Sequence, residues 1–198
     1  MLDSDSEKVS IHAILKLKDY KTAAIFCAIY IIFSLVYLFF VRNKEISYLT
    51  IIENIVVWEL YFLIAIIDFQ KKKIPNFLVI TLIILRLIGI ATGCILSPSE
   101  TFSIILFSII GFLVGGFIIL ACMLISRGGV GAGDMKLFAV SGLYFGLPGV
   151  MAIMMYSLFF AAITSIGLLV ARKAKMKSTL AMAPFIFLGL SIYLIFTF

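Results

Sequence analysis

The chain has 198 residues, of which 64% are hydrophobic and 13% charged, and its mean hydropathy is +1.23. A soluble domain carries roughly a quarter charged residues, so this composition excludes a globule that covers itself in water. The formal net charge of +6 comes from basic residues clustered beside apolar runs, the pattern of loops on an anionic leaflet, and no nucleic-acid partner is expected.

In chain order, residues 1–21 are polar and of mixed charge, and Ile11, Ile14 and Leu15 fall at helical spacing, which predicts a short interfacial helix. Apolar segments then run over 22–41, 49–68, 77–96, 102–126, 135–145, 149–171 and 180–198. The first is too long for the apolar part of a signal peptide and has no cleavage site after it, so it reads as a retained span. Six of the seven can cross about 30 Å of hydrocarbon at 1.5 Å per residue. The fifth spans only about half that distance and reads as a short or partly re-entrant helix shielded by its neighbours. In lipid, backbone groups must bond within their own segment, and the links are too short for a barrel. The expected fold is all-α, a polytopic membrane helical bundle of about seven spans. Residues 1–48 form a cytoplasmic segment and first span, and 49–198 a six-span core.

Orientation follows from the sixteen Lys and Arg residues. With a cytoplasmic N-terminus, only Arg42 and Lys44 lie outside and Arg86 lies within a span, so all the rest face inward. This assignment needs the short fifth segment to count as a crossing. It predicts a multi-pass plasma-membrane protein with lipid around it. Gly111, Gly115 and Gly116 form a G-x-x-x-G pattern in the fourth segment, which suits close helix packing within one bundle.

Chemistry is restricted by what is missing. His12 is the one histidine, and it lies in the polar N-terminal stretch. This removes an intramembrane Ser–His or Cys–His pair and any multi-histidine zinc site. Cys27, Cys94 and Cys122 have unrelated spacings and no C-x-x-C, so they read as small buried hydrophobes. No cofactor or metal is called for. Of the acidic residues, Glu53, Glu59, Asp68 and Asp134 lie in or at the ends of apolar segments, and intramembrane ionisable groups are costly enough to need a reason.

Asp68 ends the second segment just before Lys71-Lys72-Lys73-Ile74-Pro75-Asn76, and Asp134 follows the glycine-rich link 128–133 and opens the fifth. Alone, Asp134 reads as a helix cap and Asp68 as an interfacial partner of the lysines. Together they stand at one membrane face and similar depth, on different helices, each beside a bend. Two carboxyls that share one proton can activate a water between them, the ionised one as base and the protonated one as acid. The glycines of the link let an extended substrate approach its backbone.

The block Gly131-Ala132-Gly133-Asp134-Met135-Lys136 resembles the G-x-G-D motif of intramembrane aspartyl proteases. Asp68 with Ile74-Pro75-Asn76 resembles the first-aspartate motif of the type IV prepilin peptidase family, and Ala183-Pro184-Phe185 with Leu188-Gly189 is similar to that family's closing signature. The resemblance covers roughly residues 49–198. It implies a metal-free aspartic endopeptidase that removes short basic leaders from prepilin-like or preflagellin-like precursors at the cytoplasmic membrane face. By the same resemblance Asp68 and Asp134 are the catalytic pair, while Gly131, Gly133 and Lys136 belong to the substrate-facing loop. Long members carry paired C-x-x-C motifs and also N-methylate their products. Neither is implied here, and the match is to the short, peptidase-only form or the archaeal preflagellin peptidases. The alternatives are a presenilin-like or signal-peptide-peptidase-like protease, which shares G-x-G-D but resembles a Tyr-Asp first motif where Ile67 precedes Asp68, and a non-catalytic transport or assembly component.

A second charged pair is predicted between Glu59 and Arg86, which lie thirteen residues before and fourteen after Lys72. Equal offsets in an antiparallel hairpin imply equal depth, hence a structural ion pair. Glu53, nearer the outer end, reads as interfacial.

Overall fold

The computed structural model describes residues 28, 30–37, 39, 48–96, 98–126, 131–172 and 180–197. The chain divides into two compact units, 1–45 with Phe198, and Ile46–Thr197. In the first unit residues 30–37 are helical. The expected interfacial helix and half of the first span lie outside the described residues, as do Gly128 and Gly129.

The second unit is made of helices α1 (Tyr48–Lys71), α2 (Asn76–Leu96), α3 (Pro98–Ile125), α4 (Ala132–Val170) and α5 (Ala183–Thr197), with no strand among the described residues. Four of its helical stretches are long and apolar enough to cross a membrane, and the fifteen-residue α5 is shorter. The expected all-helical membrane bundle is therefore what the chain builds.

Helix ends follow local chemistry. At the end of α1, Lys72 takes a left-handed conformation (φ 50) and its N–H bonds the Asp68 carbonyl at 2.7 Å, an αL-type helix stop. The link runs non-helical to Pro75, which cannot extend a preceding helix, and α2 starts at Asn76.

α4 is two helices rather than one. At Gly146 the backbone takes φ 64, ψ −169, a region open essentially to glycine alone, and Pro148 follows in the first turn of the trailing half, where its missing N–H costs nothing. The chain doubles back there. A Cβ on Gly115 of α3 would lie 2.7 Å from the Phe138 carbonyl and 2.9 Å from Val150 Cγ2, although in a straight helix those two residues would stand about 18 Å apart. α5 gives the same answer. Near its C-terminus Tyr193 meets Phe145 and Gly149, while Gly189, earlier in the helix, meets Ser157. The expected break between the fifth and sixth segments thus falls at a one-residue reversal, and the fifth segment is the leading half of α4, residues 132–145.

The G-x-x-x-G pattern serves packing inside the bundle. A Cβ on Gly111 would collide with the Gly142 carbonyl, and one on Gly142 with the Gly111 carbonyl. Small residues here allow α3 and the leading half of α4 to touch backbone to backbone. The most deeply buried side chains, among them Tyr61, Ile64, Leu137, Phe138 and Ile186, fill the space between α1, α4 and α5.

Candidate active site

The site forms where the C-terminus of α1, the N-terminus of α4 and the N-terminus of α5 meet. Asp68 is 5% exposed. Its Oδ2 accepts the Ala183 N–H at 3.0 Å, and the Met182 N–H also bonds the carboxylate. The first N–H groups of a helix lack internal partners. Here the N-cap is Met182, whose side chain cannot accept a bond, and Pro184 has no N–H to offer. An aspartate from another helix does the capping instead, at the positive end of α5.

Asp134 is half-buried at the third position of α4. Its Oδ2 accepts the N–H of the N-cap residue Gly131 at 3.3 Å. This is one half of a capping box; the other half needs an N-cap side chain, and Gly131 has none. Each carboxylate is therefore oriented by backbone donors at a helix N-terminus.

The two aspartates come together. Asp134 lies within electrostatic reach of Asp68, and a hydrogen bond deeper in the bundle fixes their level. Tyr61 stands seven residues before Asp68 and Ser141 seven after Asp134. Seven residues are nearly two full helical turns, so each pair shares a helix face. The Tyr61 hydroxyl meets Ser141 Oγ at 2.9 Å and donates to the Leu137 carbonyl at 3.0 Å. Equal steps from that contact, about 10 Å along two antiparallel helices, bring both carboxylates to one height.

The loop residues have packing roles here. A Cβ on Gly133 would lie 3.0 Å from Ile74 Cβ, so this glycine lets the start of α4 press against the α1–α2 link. Gly131 is exposed and supplies the N–H that holds Asp134. Lys136 Nζ donates to Asn76 Oδ1 at 2.8 Å, tying the first turn of α4 to that of α2. The closing motif resolves into parts in the same way. Ala183 gives its N–H to Asp68, and Gly189 leaves room for the trailing half of α4, because a Cβ there would lie 2.7 Å from the Ile153 carbonyl.

The expected pairing of Arg86 with Glu59 is corrected. Arg86 Nη1 bonds Glu53 Oε1 at 2.9 Å, Nη2 donates to Ser108 Oγ at 3.2 Å, and Nε to the Leu143 carbonyl at 3.1 Å. Helix face decides this, not distance along the chain. Glu53, Val57, Tyr61, Ile64 and Asp68 recur at three- and four-residue steps and share one stripe of α1, whereas Glu59 is about 160° around the helix from the middle of that stripe. The non-helical link also breaks the equal-offset count. Leu143 explains why an arginine belongs here: the reversal at Gly146 leaves the last carbonyls of the leading half without helical partners, and Arg86 takes one. A cation at a helix C-terminus also suits the dipole, and the guanidinium lies 5.4 Å from the centre of the Tyr144 ring. Glu53, Ser108 and the Leu143 carbonyl carry no motif that marks them in the sequence, although Glu53 shares the face of Asp68.

Among the described residues no three His, Cys, Asp or Glu side chains gather as a metal-binding group. What the arrangement offers chemically is a pair of neighbouring carboxylates at the end of a membrane-helix bundle, the equipment of an aspartyl hydrolase. The model of the type IV leader peptidase family matches residues 55–166, more than half the chain and inclusive of both aspartates, and the chain belongs to that family. It is accordingly a multi-pass membrane peptidase. Nothing matches among the curated proteins, and nothing matches among the solved structures.

Proposed function

We propose that this peptidase is an intramembrane aspartic endopeptidase, with Asp68 and Asp134 as its catalytic pair, that removes the basic leader from prepilin-like or preflagellin-like precursors at the cytoplasmic face of the plasma membrane. The observation that carries the reading is that two carboxylates, 66 positions apart in the sequence, lie within electrostatic reach of one another on helices of a leader-peptidase chain. One carboxylate, ionised, takes a proton from a water held between the two. The other, protonated, donates to the scissile carbonyl oxygen as the water attacks, and the pair reverses these roles as the amine leaves.

The substrate is a helix with a basic, extended leader at its cytoplasmic end. Such a helix reaches the site from the plane of the membrane, and its leader passes over the start of α4, where Gly131 and Lys136 stand. Backbone hydrogen bonding to the extended leader beside Gly131 presents the scissile bond to the dyad. The orientation that puts this site inside the cell rests on the basic clusters, with the N-terminus cytoplasmic.

The test is a cleavage assay with purified precursors in detergent, comparing the chain with Asp68→Asn and Asp134→Asn. Both variants should fold and neither should cleave, and EDTA should leave the parent's rate unchanged. A folded variant that retains cleavage would remove that aspartate from the mechanism.

A further inference from the structure

We propose that Tyr61 and Ser141 form a register clamp that sets the separation of the two aspartates, with Tyr61 as the principal positioning residue. This inference rests on Asp68 and Asp134 being the catalytic pair.

Both side chains are buried, Tyr61 at 1% and Ser141 at 0% exposure, so their hydroxyls have no water to fall back on. Three polar contacts close a triangle: Tyr61 hydroxyl to Leu137 carbonyl at 3.0 Å, Tyr61 to Ser141 at 2.9 Å, and Ser141 Oγ to the Leu137 carbonyl at 2.9 Å. Two of the three engage the backbone of α4 itself. The phenol therefore reads the position of the helix rather than a side-chain rotamer. Leu137 is one turn beyond Asp134 and Ser141 two turns beyond it, on nearly the same face, while Tyr61 is two turns before Asp68. A slip of α4 along α1 by one residue, about 1.5 Å, would break both contacts that Tyr61 makes across the helices and move Asp134 by that amount relative to Asp68. Displacements of this size at a reacting centre cost on the order of a hundredfold in rate.

Ser141 can satisfy itself on Leu137 without the tyrosine, as Ser157 does on Ile153 and Ser191 on Phe187. Tyr61→Phe then removes the tie between the helices and leaves no orphaned donor, while its ring still fills the core. It is a clean probe of position.

The experiment measures kcat, KM and the pH–rate profile for the full chain, Tyr61→Phe, Ser141→Ala and the double variant, with Asp68→Asn and Asp134→Asn beside them and thermal unfolding in detergent as the control for folding. We expect Tyr61→Phe to lose about tenfold in kcat with KM within about twofold. Its bell-shaped profile should narrow, because carboxyls held less closely couple less and their two apparent pKa values draw together. Ser141→Ala, which keeps the Tyr61–Leu137 bond, should show the same narrowing at smaller size. The double variant should be no worse than Tyr61→Phe alone. A folded Tyr61→Phe with the parent's kcat and profile overturns the clamp, as does a loss that tracks the folded fraction while the profile stays unchanged. If Tyr61→Phe does not fold, Ser141→Ala decides by the same profile. Cleavage retained by Asp68→Asn or Asp134→Asn is a separate outcome and sinks the dyad, not the clamp alone.

Discussion

Two charged clusters lie within this bundle, and they are built in opposite ways. Around Arg86, opposite charges meet, and the guanidinium is bonded by Glu53, Ser108 and the Leu143 carbonyl from three other helices. At Asp68 and Asp134, like charges are brought together, and the bonds each receives come from backbone N–H groups at helix starts. A buried opposite pair with its hydrogen bonds complete is a solution to the cost of charge in lipid. A like-charged pair is a cost that nothing in the fold requires, and such arrangements collect at functional sites. The contrast supports the proposed division between a structural cluster at Arg86 and a catalytic pair at Asp68 and Asp134.

Substitutions sharpen that contrast, starting with the largest effect. Asp68→Asn or Asp134→Asn should lower the cleavage rate by on the order of 10⁴-fold, with unfolding temperatures close to the parent's, because asparagine keeps a carbonyl to cap the helix. At the other cluster the pattern reverses. Arg86→Met leaves Glu53 within the bundle without its cation and should cost about 3 kcal/mol, toward the lower end for broken buried pairs because Glu53 keeps some access to solvent. A drop in the melting temperature of the detergent-solubilised chain would show this, and the added change Glu53→Gln should recover part of it. Gly146→Ala should cost on the order of 1–3 kcal/mol, since alanine is strained at the reversal, and thermal unfolding reads this as well. Smallest is Lys136→Met: the Lys136–Asn76 contact is exposed, and its loss should change stability by less than about 1 kcal/mol. A larger effect of Lys136→Met on KM would speak for the substrate-facing role that the motif implies.

The sequence was most informative where a residue type announces its own conformation or cost. Gly146 with Pro148 split the apolar run at the point where the backbone reverses, and Gly111 with Gly115 announced a close helix contact. The aspartates stood out because carboxylates beside apolar runs need a reason. What could not be read belonged to angle and backbone. The partner of Arg86 turned on which stripe of α1 faces inward, and the sixteen residues of α1 from Glu53 to Asp68 reveal that stripe only once α5 and α4 are packed on it. The donors at Ala183 and Gly131 are main-chain groups, present at every residue but proline, and sequence gives them no mark. The Tyr61–Ser141 tie did leave a trace, in that both residues stand seven positions from an aspartate, but the two sevens acquire meaning only when α1 and α4 run antiparallel.

The most direct test of the paired site compares residual cleavage in Asp68→Asn, Asp134→Asn and the double variant. If the two carboxyls act as one unit, removing both is no worse than removing either, and all three rates coincide at the same low level. Losses that multiply in the double variant would mean two groups working independently, and the shared-proton account would be wrong.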